Sequence, residues 1–451
     1  MNPYSETDQT SGARPCANDT AMISAHNRSE SPGAQQVLTE SPRPSSYRSA
    51  GSVLKVLHVI DSISPLRGGP SQSLWHTLRA SAVRGIKVAV ITTNDDGPGR
   101  TVNVPMDRFV KVNGFEVRYF PRQTNFYTAS WPMWQWLLAH VREYDLVHVH
   151  ALFSFAPTVA SYSARFRGVP YVISPHGVLG VWGLENRRPR LKRASIQWVE
   201  GPLLRRARCV QFCSRREQDE FSQLGVHANT SVIPHAMPAE PGDVAISTFK
   251  PPAELAALAG RPAILFLARI HPIKGLELLL RAFAGVIQQH PNVVLLVAGN
   301  GEASFVAGLQ KLALNLGISN HIRWIGFVSG TFKRWLFERA SVFVQPSWSE
   351  NFGIAVAEAM AIGVPVIVTN GVGIADIVAK NHCGLVTEST IPSLQQAIND
   401  LLKDDVTRLR MGAAGRHAVR EQLSLDVYSS RLESMYRHAC NPSATDPQPL
   451  A

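Results

Sequence analysis

The stretch ASVFVQPSWSENFGIAVAEAMAIGVPVIV, residues 340–368, carries the fold in miniature. The apolar run SVFVQP reads as a strand, and the polar SWSEN lies at its carboxyl end. Gly353 then opens a helix, and a Gly363-Val-Pro365 break closes it. VPVIV reads as the next strand. Strand, helix, strand is a βαβ unit, which implies a parallel sheet. Two glutamates stand inside this unit, Glu350 in the polar turn and Glu358 in the apolar helical run. An ionised carboxylate facing apolar packing is costly, so Glu358 needs a partner. Sugar hydroxyls, ribose diols in particular, are suitable donors. The alternative is an internal basic residue for Glu358 and a solvated Glu350. The free N–H groups behind Gly353 form an anion-binding helix start.

The same alternation extends in both directions. VLKVLHVI (53–60) reads as a strand, and SISPLRGGPSQS (62–73) as a Gly/Pro/Ser loop. Residues 71–84 place Leu74, Trp75, Leu78 and Ala82 on one helical face and stop at Gly85. KVAVITT (87–93) is a strand, DLVHVH (145–150) a strand, 157–167 a helix and PYVISPHG (170–177) a strand with its exit loop. CVQFCS (209–214) and SVIP (231–234) follow. A stretch crowded with Pro, Ala and Gly then interrupts the pattern (234–262). A second βα series runs from AILFLARI (263–270) through a helix at 276–289, NVVLLVAGNG (292–301), HIRWIGFV (321–328), VPVIVTNGVG (364–373) and CGLV (383–386). Helices are expected at 394–403, 406–423 and 425–440.

The chain of 451 residues exceeds one core. The expected division is a disordered extension at 1–50, poor in large apolar side chains. A Rossmann-like domain follows at 51–240, a linker at 241–262 and a second Rossmann-like domain at 263–424. A helix and tail close the chain at 425–451. The architecture expected is α/β, two doubly wound domains facing across a cleft, with ligands at the carboxyl ends of the strands.

A net charge of +11 suits nucleic acid, anionic lipid or phosphorylated ligands. No binding module for nucleic acid accompanies it. Cys16, Cys209, Cys213, Cys383 and Cys440 lack paired metal spacing and read as reduced thiols of a cytosolic protein. Residues 1–50 do not resemble a signal peptide, and no window is apolar enough to span a membrane. GNGEAS (299–304) lacks the third glycine of a dinucleotide fingerprint. His148 and His150 alternate in a strand, which favours core or strand-end roles over a metal pair.

LARIHPIKG (267–275) leaves a strand end and enters a helix. Arg269 and Lys274 there suit a diphosphate, a planar fork and a point charge; solvated loop cations are the bland alternative. Arg269-(x4)-Lys274-Gly275 together with Glu350-(x7)-Glu358 in PSWSENFGIAVAEAMAIGVPVI resembles the retaining GT-B glycosyltransferases of family 4 (group 1). SPHGVLGVWGLENRRPRLKR resembles their exopolysaccharide and lipopolysaccharide branch. The resemblance spans roughly 53–440 and is looser in the amino-terminal half.

The resemblance implies a retaining hexosyl transfer from a nucleotide diphosphate sugar, GDP-mannose or a UDP-hexose, to a saccharide acceptor, with a lipid-linked one expected. It implies that Arg269 and Lys274 hold the donor diphosphate and that Glu358 bonds the ribose. Glu350, with the backbone of Asn351, Phe352 and Gly353, would hold donor-sugar hydroxyls. Gly68 and Gly69 would let backbone approach the phosphates, and His176 would lie by the sugar and the departing phosphate; alone, it reads as a loop histidine bonded to backbone. No metal is expected, since no Asp-x-Asp lies in a suitable loop and Arg269 and Lys274 would take the cation's role; no cofactor is expected either, the nucleotide sugar being a substrate. VIPHAM (232–237) departs from the family's Val-Ile-Pro-Asn-Gly, which puts the interdomain contact at His235 and Ala236 in question. The basic segments RRPRLKR (187–193) and RRAR (205–208), edged by Trp182, Leu184, Leu191, Ile196 and Trp198, suit an anionic membrane face or an ordinary solvated helix. A catalytically silent GT-B scaffold is the competing expectation.

Overall fold

The computed structural model describes residues 53–65, 69–97, 99–185, 188–237 and 249–441. The expected disorder at 1–50, with Cys16, and also Gly68 and residues 241–248 of the expected linker lie outside the described residues. Between Val53 and Asn441 the chain builds two parallel-sheet α/β domains.

The first sheet contains β1 (Lys55–Val59), β2 (Lys87–Thr93), β3 (Phe109–Val112), β4 (Phe115–Phe120), β5 (Leu146–His150), β6 (Tyr171–Ser174), β7 (Cys209–Phe212) and β8 (Thr230–Val232). Their order is β3-β4-β2-β1-β5-β6-β7-β8. The second contains β9 (Ala263–Leu267), β10 (Val294–Ala298), β11 (Ile322–Gly326), β12 (Val342–Gln345), β13 (Val366–Thr369) and β14 (Gly384–Thr387), in the order β11-β10-β9-β12-β13-β14. Central strands such as VLLVA are buried at every position, because helices cover both faces of the sheet.

One edge departs from the sequence reading. β3 and β4 form an antiparallel hairpin, so the first sheet is mixed. Asn113 and Gly114 turn it with φ of 50° and 85°. Asn-Gly between alternating strands is the standard signal of such a turn and was the clue available. Helices at Trp131–His140, Ala303–Asn315 and Gly330–Arg339 were not anticipated either.

In each sheet the strand order reverses at one point, between β1 and β5 and between β9 and β12. Exit loops diverge at such points and leave a crevice. The βαβ unit of residues 340–368 supplies one wall, with its helix at Ile354–Ile362 capped by Gly353 at φ 104°.

The last helix, Leu425–Cys440, returns to the first sheet. Tyr428, Leu432 and Tyr436 pack with Val56, Ala80, Leu146 and Val172. Thr77 Oγ1 and the Tyr428 hydroxyl lie 2.8 Å apart. The two domains also meet directly. Met237 N–H donates to Leu423 O at 2.7 Å, and Arg216 Nη1 donates to Asn370 O at 2.5 Å.

Candidate active site

The exits of β9 and β12 bring the sequence motifs together. Gly275 follows Lys274 at φ 70°, and a Cβ there would sit 1.9 Å from Pro346 O. Only glycine permits this approach of the two exit loops. It places the Lys274 ammonium in an ion pair with the Glu350 carboxylate. Gln345 Nε2 donates to the same oxygen, Glu350 Oε2, at 3.0 Å. Glu350 is therefore held by partners and is not merely solvated. Its backbone is pinned as well: Glu350 N–H donates to Gly371 O and Gly373 N–H to Glu350 O, each at 2.9 Å. Arg269 stands exposed at the β9 exit. A cavity of 340 Å³ opens beside Gly275, walled by Pro272, Leu278, Phe305 and Trp348 among others.

Glu358 does not face apolar packing as the sequence suggested. It lies on the half-exposed side of its helix, toward the Gly330–Arg339 helix. Lys333 of that helix places its ammonium 2.7 Å from both carboxylate oxygens and donates to Oε1. Glu358 Oε2 is shielded from solvent and has no partner beyond that ion pair among the described residues. Both oxygens are drawn to the one ammonium, and a ligand hydroxyl at this carboxylate would share it with Lys333. Lys333 carried no motif in sequence, since its pairing depends on how two helices pack.

The Asn351–Gly353 turn reaches the first domain. Ser214, the N-cap of the Arg215–Ser222 helix, donates its Oγ–H to Asn351 O at 2.9 Å and accepts from Glu217 N–H at 3.2 Å. Asn351 Nδ2 lies 2.9 Å from Cys213 Sγ. Phe352 meets His235 edge-on, with centroids 5.2 Å apart, and His235 Nδ1 lies 3.3 Å from Ser73 Oγ. The unusual His235 thus makes the interdomain contact itself. Burial lowers its pKa to about 3, so it sits there neutral.

His176 follows β6 at φ 56° and is half-buried. Its Nε2 lies 3.0 Å from His150 Nδ1, a partner inside the sheet and not nearby loop backbone. Gly177 adjoins Asn351: a Cβ there would come within 2.9 Å of Asn351 Cγ. Gly69 is the first residue of the Gly69–Val83 helix, and a Cβ added to it would meet nothing.

A second polar group, unnoticed in sequence, collects at the β1 and β5 exits. Burial pushes Asp61 up to about 6 and Glu200 up to about 7. Glu200 is fully buried, accepts from Phe153 N–H at 3.1 Å, and has no partner for Oε2 among the described residues. Tyr127 OH lies 2.8 Å from Thr158 Oγ1, beside both acids. Tyr127, Thr128, Ala151 and Phe153 all hold positive φ, a local concentration of strain. These residues are far apart in sequence and share no motif.

Residues 68–236 match the family described as Glycosyl transferase 4-like domain, and residues 250–418 match Glycosyl transferases group 1. The chain belongs to the group 1 glycosyltransferases. It is 34% identical over 188 residues to the D-inositol 3-phosphate glycosyltransferase of Streptomyces avermitilis. That alignment covers 38% of this chain and 40% of the relative, so the match spans about two fifths of that protein. A D-inositol 3-phosphate glycosyltransferase of Segniliparus rotundus is 27% identical over 400 residues, 84% of this chain and 86% of the relative. The GDP-mannose-dependent alpha-(1-6)-phosphatidylinositol monomannoside mannosyltransferase of Mycobacterium tuberculosis is 31% identical over 188 residues, 40% of this chain and 48% of the relative. Among solved structures, sucrose-phosphate synthase from Thermosynechococcus elongatus superposes with TM-score 0.67 at 21% identity. It covers 86% of this chain and all of that one. Anabaena HepE in complex with UDP and glucose superposes with TM-score 0.65 at 20% identity, covering 85% and 99%. These likenesses establish the GT-B fold of the group 1 glycosyltransferase. No helix among the described residues is long and apolar enough to cross a membrane.

Proposed function

We propose that this group 1 glycosyltransferase moves a hexose from a nucleotide diphosphate sugar, GDP-mannose or a UDP-hexose, to a lipid-linked saccharide acceptor in surface polysaccharide assembly, with retention of configuration. The observation that carries the reading is the pair of lysine-held carboxylates, Lys274–Glu350 and Lys333–Glu358, at the switch point of the second sheet. Such a set suits a ligand with both negative charge and hydroxyls. Arg269 and Lys274 take the diphosphate, and the Glu358 carboxylate, oriented by Lys333, takes a ribose hydroxyl. Glu350, with the backbone at Asn351, Phe352 and Gly353, takes sugar hydroxyls, and Gly68 and Gly69 admit the phosphates. The names of relatives, one GDP-mannose-dependent, support such a donor.

In the step proposed, the sugar's bond to the diphosphate oxygen breaks while a bond to the acceptor oxygen forms on the same face. The acceptor's proton passes to the departing diphosphate. Cationic side chains then do the work of a metal ion, and the protein acts by positioning and charge stabilisation. The acceptor side draws on the first domain. Trp182, Leu191 and Trp198 stand exposed among Arg190, Arg193, Arg205 and Arg206, a surface suited to the cytoplasmic face of an anionic membrane.

A thermal-shift panel without added metal tests the donor. UDP, GDP, ADP and their hexose conjugates are compared, because a ligand that binds the folded state raises Tm by mass action. A shift with one nucleotide family identifies the base. A cooperative melt that none of them moves overturns the donor reading. Transfer of radiolabelled sugar to polyprenyl-linked saccharides, with water-soluble saccharides as the contrast, tests the acceptor.

A further inference from the structure

Behind His176, imidazoles run inward from the exit of β6. His176 Nε2 lies 3.0 Å from His150 Nδ1, and His150 Nε2 lies 3.0 Å from His58 Nδ1. His58 and His150 are fully buried, so the line ends in the core. There His58 Nε2 is shielded and has no partner among the described residues. A separate line passes through His148. Ser174 Oγ–H donates to Gln211 Oε1 at 2.7 Å and so must accept from His148 Nε2–H, also at 2.7 Å. That leaves His148 Nδ1 to accept from the Tyr436 hydroxyl at 2.6 Å. His148 is spoken for at both nitrogens, although its ring stacks on His150.

Burial holds His58 and His176 near 3 and His150 well below its usual value, so all three rings are neutral. A neutral imidazole has one N–H and one bare nitrogen. Two proton arrangements then satisfy the line. In one, each ring donates inward, and His58 is left with an Nε2–H buried against no acceptor. In the other, each ring donates outward: His58 Nδ1–H to His150 Nε2, His150 Nδ1–H to His176 Nε2. The second leaves only a bare lone pair in the core. Among backbone groups, orphaned buried N–H donors are rarer than under-satisfied acceptors; carrying that ranking over to the ring nitrogens favours the outward arrangement.

We infer that His58 and His150 are positioning residues that fix His176 as its Nδ1–H tautomer, so that the cleft meets a hydrogen-bond donor at this ring. His176 Nδ1 has no partner among the described residues, and the ring is only half-buried. The ligand atom it suits is an oxygen lone pair, on a phosphate or a sugar hydroxyl. The choice of that ligand rests on the donor reading above; the tautomer does not. The ligand atoms of His58, His148 and His150 also lie within 4.8 Å of one another. A cation bound there would have to break the hydrogen bonds just described, since His58 Nε2 alone is uncommitted.

Long-range ¹H–¹⁵N correlation on the full chain labelled with ¹⁵N-histidine reads the tautomer directly, with a His176→Gln sample for assignment. The expected result is a protonated Nδ1 and a bare Nε2 on His176, and a bare Nε2 on His58. An Nε2–H tautomer or a mixture at His176 overturns the proposal. So does stoichiometric zinc or another metal found by elemental analysis of the purified protein. His58→Leu then removes the innermost donor. We expect mixed tautomers at His176 and kcat lowered roughly tenfold, with donor KM within about twofold. His58→Asn, whose amide N–H can stand in for Nδ1–H, should restore most of kcat. Mixed tautomers with unchanged kcat would sink the link to transfer. If His58→Leu does not fold, the wild-type spectrum still decides. If the tautomer is as expected but no nucleotide sugar binds, it is the donor reading that fails.

Discussion

At the scale of single residues, the two carboxylates of the SENFG stretch differ in how they are held. Glu350 has an oxygen bound by both Lys274 and Gln345. Glu358 has both oxygens within 2.7 Å of the single Lys333 ammonium. Glu358→Gln keeps the shape but replaces a charged acceptor by a neutral amide. A hydrogen bond to a charged group contributes on the order of 1.5–3 kcal/mol, so kcat/KM for the donor should fall roughly 10- to 100-fold. The Lys333–Glu358 pair is about a quarter exposed on each side. Such a pair is worth no more than about 1 kcal/mol to the fold, so Tm should scarcely change. Lys274→Met removes the cation proposed for the diphosphate and frees Glu350 in the same stroke. Transfer should drop below detection while the melt stays cooperative. Full activity in either purified variant would remove these residues from the donor site.

At the scale of elements, what the sequence made legible was whatever repeats locally. Strands with continuous apolar runs and the helix at Leu276–Gln289 could be read because their burial follows from neighbours in the chain. The Glu350, Glu358, Arg269 and Lys274 set was legible as a family pattern, but its pairing was not. Lys274 and Glu350 are 76 residues apart, and Lys333 reaches Glu358 only because two helices pack. The edge hairpin lay in plain view at Asn113-Gly114 and went unread. His58 and His150, 92 residues apart, meet through strand pairing of β1 with β5, which no local pattern encodes. Gly275 shows how narrowly such meetings depend on backbone. Its φ of 70° is strained for any side chain, at on the order of 1–3 kcal/mol, and a methyl group would collide with Pro346 O as well. Gly275→Ala should therefore lower the denaturant midpoint and separate Lys274 from Glu350, with loss of nucleotide binding. Equilibrium unfolding and the thermal-shift panel measure the two effects, and a variant that behaves as wild type in both would show the exit loops to be pliant.

At the scale of the whole molecule, the buried imidazoles make the fold sensitive to acid. His58, His176 and His235 titrate near 3 in the folded chain because burial disfavours their charged form, and burial holds His148 and His150 well below the usual histidine value. Once unfolded, each returns to about 6.5. Between these values the unfolded chain binds more protons, so stability rises with pH across the window and is lost as pH falls below about 6.5. Asp61 and Glu200 act in the opposite sense. Burial raises them to about 6 and about 7, so the folded chain binds their protons first. Their contribution is present at low pH and fades as pH rises through those values. The histidines outnumber the acids, and the net expectation is a Tm that falls as pH goes from about 7.5 to about 5. Glu200→Gln separates the two groups. It removes an opposing proton site without touching the imidazoles, so the acid loss should become steeper than in wild type. A Tm that holds steady or rises on acidification, or a Glu200→Gln profile no steeper than wild type, would mean that water reaches these groups and that the histidine line is not sealed in the core.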